Sequence, residues 1–267
     1  MKLSNILPSL IFGVCLLIVW ETLCRLLSVP LYLLPPPYQI LLDTINNFGS
    51  LFKNAGITFG EALLGFVIAN IVALLLAVCM VYIRGIDKAI MPFAIALKTT
   101  PIVAMAPLLL LWFGTGIAPK VAAASLICFF PSIVNSLKGF NALEEGEEDI
   151  FRIYGATKTQ VLLKLRFFRA APYIFSALKV SSSLSIVGAI VGEFVGANQG
   201  IGYVILTASY HLDTIRMFSA IIMTSIMGVA FYSFISFLDL KIVTWQAQIV
   251  DDIRLSSPPR RIERRNI

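Results

Sequence analysis

Two ionisable residues stand inside the most apolar parts of this chain, Glu193 within a run of glycines and Lys98 among three prolines. A carboxylate and an ammonium placed in hydrocarbon can relay protons, line a polar path or, with a nucleophile, support hydrolysis. Hydrolysis would need a Ser/His/Asp-type set, and His211, the single histidine, has only Asp213 beside it and no ligand set for a metal. The four cysteines, Cys15, Cys24, Cys79 and Cys128, fall in apolar runs without a C-x-x-C pair and read as small packing residues. No G-x-x-x-x-G-K-[ST] run is present, so the chain has no phosphate-binding loop with which to use ATP.

The elements that position these groups follow from composition. With 58% hydrophobic and 13% charged residues over 267 positions, and a mean hydropathy of +0.87, a soluble domain would lack the polar surface to cover itself. A bilayer core of about 30 Å takes roughly 20 apolar residues as a helix. Six such runs occur: Pro8 to Leu27, Ile57 to Ile83, Ile90 to Phe113, Val121 to Leu137, Ile174 to Val195 and Met217 to Leu238. Unbroken runs exclude the alternating segments of a barrel, and the expected fold is an all-α polytopic membrane protein of about six transmembrane helices. Met1-Lys2 before an apolar run could open a signal peptide, but the run holds Trp20-Glu21 and no small-x-small cleavage site, which favours an uncleaved first helix.

If the runs alternate, segments 1–7, 84–89, 138–173 and 239–267 share one side and carry fifteen of the 21 Lys and Arg residues. Basic loops mark the cytoplasmic face, so both termini are placed there. The tail SSPPRRIERRNI reads as a topology signal touching anionic lipid, with no call for nucleic acid.

Within helix five, Gly188, Gly192 and Gly196 recur every fourth residue, preceded at similar spacing by Ser181 and Ser185. Such a groove admits close helix approach, either at a gate within a dimer or as packing inside one subunit. Glu193 either lines a path or serves as a structural acceptor, with the structural or gating role favoured. Glu21 and Glu61, near helix ends, are explained by solvated or snorkelling positions. Pro92, Pro101 and Pro107 make the third run a kinked, cavity-lining helix. Lys98 then either charges that cavity or snorkels to the cytoplasmic headgroups; Lys98, Pro101 and Pro107 mark a possible pathway.

The loop 138–173 is long enough to need a structure of its own. EEGEED precedes the apolar pattern Ile150, Phe151, Ile153, Tyr154, and after Gly155-Ala156-Thr157 a second pattern follows at Val161 to Leu165. Acids at the start, bases at the end and a glycine between predict two short helices on the cytoplasmic surface. On physical grounds alone they could simply lie in the headgroups.

The stretch DIFRIYGATKTQVLLKLRFFRAAPYI resembles the "EAA" loop of type I ABC importer permeases. Asp149 stands at the Glu position, Ile150 and Phe151 at the alanines, Gly155 at the glycine, Leu165 at the isoleucine and Phe167-Phe168 at Leu-Pro, so only the glycine is identical. KTTPIVAMAPLLLLWFGTGIAPK, FFPSIVNSLKG, GAIVGEFVGANQGIGYVI and LLPPPYQI are similar to segments of the nitrate, sulfonate, taurine and pyrimidine-precursor branch, in the same order.

The resemblance implies that Asp149, Gly155, Ala156, Thr157, Lys158 and Leu165 belong to a coupling loop seated in a separate ABC ATPase subunit. That subunit binds ATP and Mg, while this chain holds no cofactor and is not an enzyme. It further implies a homodimer of permeases, a periplasmic or lipid-anchored solute-binding protein, and a place in the bacterial inner membrane. Residues 1–55 would form the first helix and external segment, 56–245 the permease core, and 246–267 the tail. The solute class implied is nitrate or bicarbonate, sulfonate or taurine, or a thiamine or flavin precursor. A self-sufficient secondary transporter or intramembrane enzyme is the alternative, and it wants inverted repeats that the chain does not display.

Overall fold

The computed structural model describes residues 7–83 and 85–245, which form an all-α bundle. Its helices are α1 (Leu7–Leu26), α2 (Pro37–Asn46), α3 (Phe48–Tyr82), α4 (Ile86–Thr99), α5 (Ile102–Phe113), α6 (Ala118–Phe140), α7 (Glu147–Ile153), α8 (Lys158–Val161), α9 (Phe167–Glu193), α10 (Ile201–Tyr210) and α11 (Thr214–Ile242). A π-helical turn at Leu162–Arg166 joins α8 to α9. Among the described residues four helices are long and apolar enough to cross a membrane: α3, α6, α11 and the continuous Lys158–Glu193 unit. A fifth crossing results if α4 and α5 count as one. The first apolar run also forms a helix, α1, whose 20 residues reach about 30 Å.

Two elements differ from the sequence expectation. The second run begins nine residues earlier than expected, at Phe48, and α3 runs unbroken through residue 55. The third run is no single kinked helix: α4 and α5 meet at 103°. Of its three prolines, Pro92 and Pro107 lie inside helices, and the break falls at Pro101. A residue before proline is pushed out of the helical region, and Thr100 and Pro101 are both extended, with ψ of 123° and 119°.

The core is the packing of α6 against α9 and α3. Small residues let the three backbones approach. A methyl group on Gly65 would lie 2.4 Å from Ala124 Cβ, one on Gly188 2.6 Å from Ala124 Cα, and one on Gly192 2.7 Å from Lys120 Cα. The glycine stripe of α9 therefore seats α6 of the same chain, while a methyl on Gly196 would meet the Leu110 side chain on α5. Polar contacts reinforce the triad where lipid offers no hydrophobic drive: Ser132 Oγ donates to Asn70 Oδ1 at 2.7 Å and lies 2.9 Å from Ser181 Oγ. Phe231 of α11 closes the apolar side, edge-on to Phe59 and Phe66.

At the outer end, Pro37 occupies the first position of α2, where its missing N–H costs nothing. The LLPPPYQI segment thus becomes a short helix held to α11, with the Ser219 hydroxyl donating to Ile40 O and Arg216 3.5 Å from Asp43.

Candidate functional site: a cytoplasmic helix pair, a broken span and a buried charge cluster

The cytoplasmic pair is built locally. Gly155 ends α7 at φ +73°, a left-handed conformation open to glycine at little cost, and nothing lies within 4 Å of where its Cβ would be. Thr157 then caps α8. Its hydroxyl accepts the Gln160 N–H at 3.3 Å and its own N–H donates to Gln160 Oε1 at 2.8 Å, a capping box legible in the spelling TKTQ.

The acids of α7 do more than complement its dipole, since they clasp the start of α9. Glu148 sits 2.6 Å from Arg166, whose guanidinium also donates to Phe140 O, and Glu147 pairs with Arg169. That guanidinium holds the Glu147 carboxyl below the usual carboxylate range. Tyr82 at the end of α3 donates to Lys158 O at 3.1 Å, so α8 is tied to a second long helix.

The loop residues divide. Leu165 and Val161 are buried toward the bundle. Asp149, Thr157 and Lys158 are exposed; Ala156 is half-buried and lines a 320 Å³ groove with Ile150, Phe151, Tyr154, Gln160 and Lys164. Ile153 and Tyr154 are 82% and 86% exposed, a cost in water that a partner would remove. Phe168 stacks on Trp245 with centroids 4.0 Å apart and stays 45% exposed.

Midway through the bundle, the break between α4 and α5 borders a 540 Å³ cavity against α6 and α9. Lys98 and Pro101 line it; Pro107 does not. Lys98 does not snorkel to the cytoplasmic end. Its ammonium lies 4.5 Å from the ring centre of Phe130, which stands about 15 Å along α6 from Phe140 and about 18 Å from Ala118.

Toward the outer end a charge cluster is buried, and here the sequence reading of Glu61 needs correction. Glu61 is neither solvated nor snorkelling: it is 2% exposed and 3.1 Å from the ammonium of Lys120, itself 5% exposed. Glu193, wholly buried, accepts from the Thr58 hydroxyl at 2.6 Å and from the Gly202 N–H. Thr58 in turn accepts from Ile201 N–H at 2.8 Å. The turn after α9 folds over this carboxylate, and at Gly200, φ +105°, a methyl group would lie 2.1 Å from Glu193 Oε1. Lys120 escaped sequence reading because its partner comes from α3, and spacing along one helix does not reveal a contact between two.

His211 and Asp213 lie at helix ends, and Asp213 is spent as the cap of α11, accepting Arg216 N–H at 3.0 Å. Among the described residues no cluster of His, Cys, Asp and Glu could hold a metal ion. The basic tail falls outside the described residues.

Comparison with known proteins identifies this architecture. The chain is 32% identical over 240 residues to the formylaminopyrimidine transport permease protein ThiX of Halalkalibacterium halodurans, covering 90% of this chain and 95% of that protein. It is 31% identical to the riboflavin transport system permease protein RibX of Chloroflexus aurantiacus, with 87% of each covered. It is 26% identical to a putative aliphatic sulfonates transport permease protein, SsuC, of Bacillus subtilis, covering 90% and 88%. Its fold matches an inward-facing structure of the MetNI methionine ABC transporter at TM-score 0.57 and 18% identity, covering 79% of this chain and 97% of that one. The family described as "Binding-protein-dependent transport system inner membrane component" matches residues 65–244. The chain belongs to that family, and it is a multi-pass inner-membrane permease subunit of the type I ABC importers.

Proposed function

We propose that two copies of this chain form the membrane path of an ATP-driven importer for a nitrogen heterocycle of the thiamine- or flavin-precursor class. The observation that carries the choice of solute is the order of likeness: the formylaminopyrimidine and riboflavin permeases are 32% and 31% identical, the sulfonate permease 26%. The exposed face of α7 and α8, with Ile153 and Tyr154 at its tip and the groove around Ala156 and Gln160 beside them, seats in the cleft of an ABC ATPase that binds ATP and Mg. Closure of two such ATPases reaches the membrane through the Glu148–Arg166 and Glu147–Arg169 pairs, which fix α7 to the start of α9. An external solute-binding protein delivers the solute.

The test is to reconstitute the chain with its ATPase and the binding protein encoded beside it, and to offer an aminopyrimidine, riboflavin, an alkyl sulfonate and nitrate. ATP-dependent uptake of a heterocycle retained by the binding protein is expected. Uptake of the sulfonate or nitrate in its place overturns the assignment of solute class.

A further inference from the structure

The cavity at the break between α4 and α5 combines three features that belong together only in a polar passage. First, its depth: α6 runs past it with Phe130 about midway along its length, so the Lys98 ammonium over that ring stands well inside the span and away from both ends of α6. Second, its charge: Lys98 is the single charged residue of the lining and has no carboxylate partner among the described residues. An unpaired ammonium facing hydrocarbon at that depth is costly, so this face looks onto water or protein, not lipid. Third, its backbone: a break inside the membrane leaves the last carbonyls of α4 and the first N–H groups of α5 without helical partners, which is tolerated where they border a water-filled space.

The lining side chains define what such a space would accept. The hydroxyls of Thr99 and Thr100 both donate to Ala96 O, at 3.0 and 2.9 Å, and the Asn135 amide donates to Pro131 O at 2.8 Å. The two hydroxyls are spent at home and Asn135 keeps one amide N–H, which leaves the Lys98 ammonium as the one charged donor of the lining. The ammonium lies over the Phe130 ring, 4.5 Å from its centre, which holds it in the cavity without neutralising it. A volume of 540 Å³ lies within the roughly 300–1,000 Å³ of small-molecule sites.

We propose that this cavity is a transit subsite for a small solute rich in hydrogen-bond acceptors, with an acceptor atom on Lys98, and that Lys98 makes the passage favour neutral or anionic over cationic solutes. The proposal rests on the importer reading above and adds to it a place in the membrane and a residue that sets charge preference. Ring nitrogens and carbonyl oxygens of a heterocycle satisfy the same ammonium as an anionic group would. A cation meets it as a like charge.

Cysteine labelling tests this without knowledge of the solute. In lipid nanodiscs, full-length chains carrying Asn135→Cys or Thr100→Cys are treated with two methanethiosulfonates, one bearing a sulfonate and one a trimethylammonium group, with the unsubstituted chain as control for its native cysteines. Both positions are expected to label and, with each rate taken relative to that reagent's rate with a small free thiol in solution, the anionic reagent is expected to be about tenfold faster, as one unit charge nearby provides at intermediate dielectric. Adding Lys98→Met should bring the two rates together, and Lys98→Arg should restore the difference. Failure to label above the control shows a closed or lipid-covered face and overturns the subsite. Equal rates with Lys98 present overturn its role. Neither result touches the assignment of solute class, which stands or falls on what the binding protein retains.

Discussion

At the scale of single residues, the strongest constraint is the pair formed by Glu61 and Lys120. Both are almost wholly removed from solvent and 3.1 Å apart, in a region where neither would be stable alone. Removing one member of a buried ion pair leaves an uncompensated charge and costs about 3–5 kcal/mol, while replacing both by neutral groups is far milder. Lys120→Met is therefore expected to lower thermal stability in detergent markedly, and Glu61→Gln added to it to recover much of the loss. Thermal unfolding of the two variants, followed by the exposure of buried cysteines Cys24 and Cys128, checks this. Equal stability of Lys120→Met and the unsubstituted chain would show that the pair is not formed in the membrane.

At the scale of elements, the cytoplasmic helix pair depends on one backbone angle. Because a Cβ at Gly155 would meet open space, bulk is not the obstacle there; the left-handed φ of +73° is, and it costs an ordinary residue about 1–2 kcal/mol. Asparagine tolerates that conformation, whereas a β-branched residue resists it. Gly155→Val is expected to reduce uptake by the reconstituted importer several-fold with membrane insertion intact, and Gly155→Asn to retain most of it. If both variants transport alike, the angle between α7 and α8 is immaterial to coupling. The same reasoning separates the glycines of α9: Gly188 and Gly192 are close-approach residues against α6, with ordinary helical angles.

At the scale of the whole molecule, the two ends carry different work. The outer end buries the cluster of Glu61, Lys120, Glu193 and Thr58 where α3, α6 and α9 pack together, and the cytoplasmic end exposes Ile153, Tyr154 and the groove beside them. Energy from ATP must then enter at the cytoplasmic end through another protein, since the sequence contains no phosphate-binding loop. The purified chain is expected to show no ATPase activity. A cysteine at Ala156 should crosslink to one in the ATPase cleft, and one at His211, beyond α10, should not. Solute accumulation driven by a proton or sodium gradient in vesicles lacking ATP would replace this reading with that of a secondary transporter.

Membrane residence, the apolar runs and the polarity of the loops were determined by the sequence alone, because hydrophobic length and the distribution of Lys and Arg act over whole segments and need no knowledge of neighbours. The turn at Gly155 was local enough to be read in the same way, as a break; the Thr157–Gln160 cap went unread, although the spelling TKTQ carries it. Tertiary structure alone decided which proline would break the third run, because three prolines offer three sites and packing of α4 and α5 on α6 selects Pro101. It alone paired Glu61 with Lys120 and placed Lys98 over Phe130, since each contact joins helices far apart in the chain. A charge near the end of an apolar run is equally compatible with solvent and with a partner, and the identity of the partner is fixed by which helix faces meet.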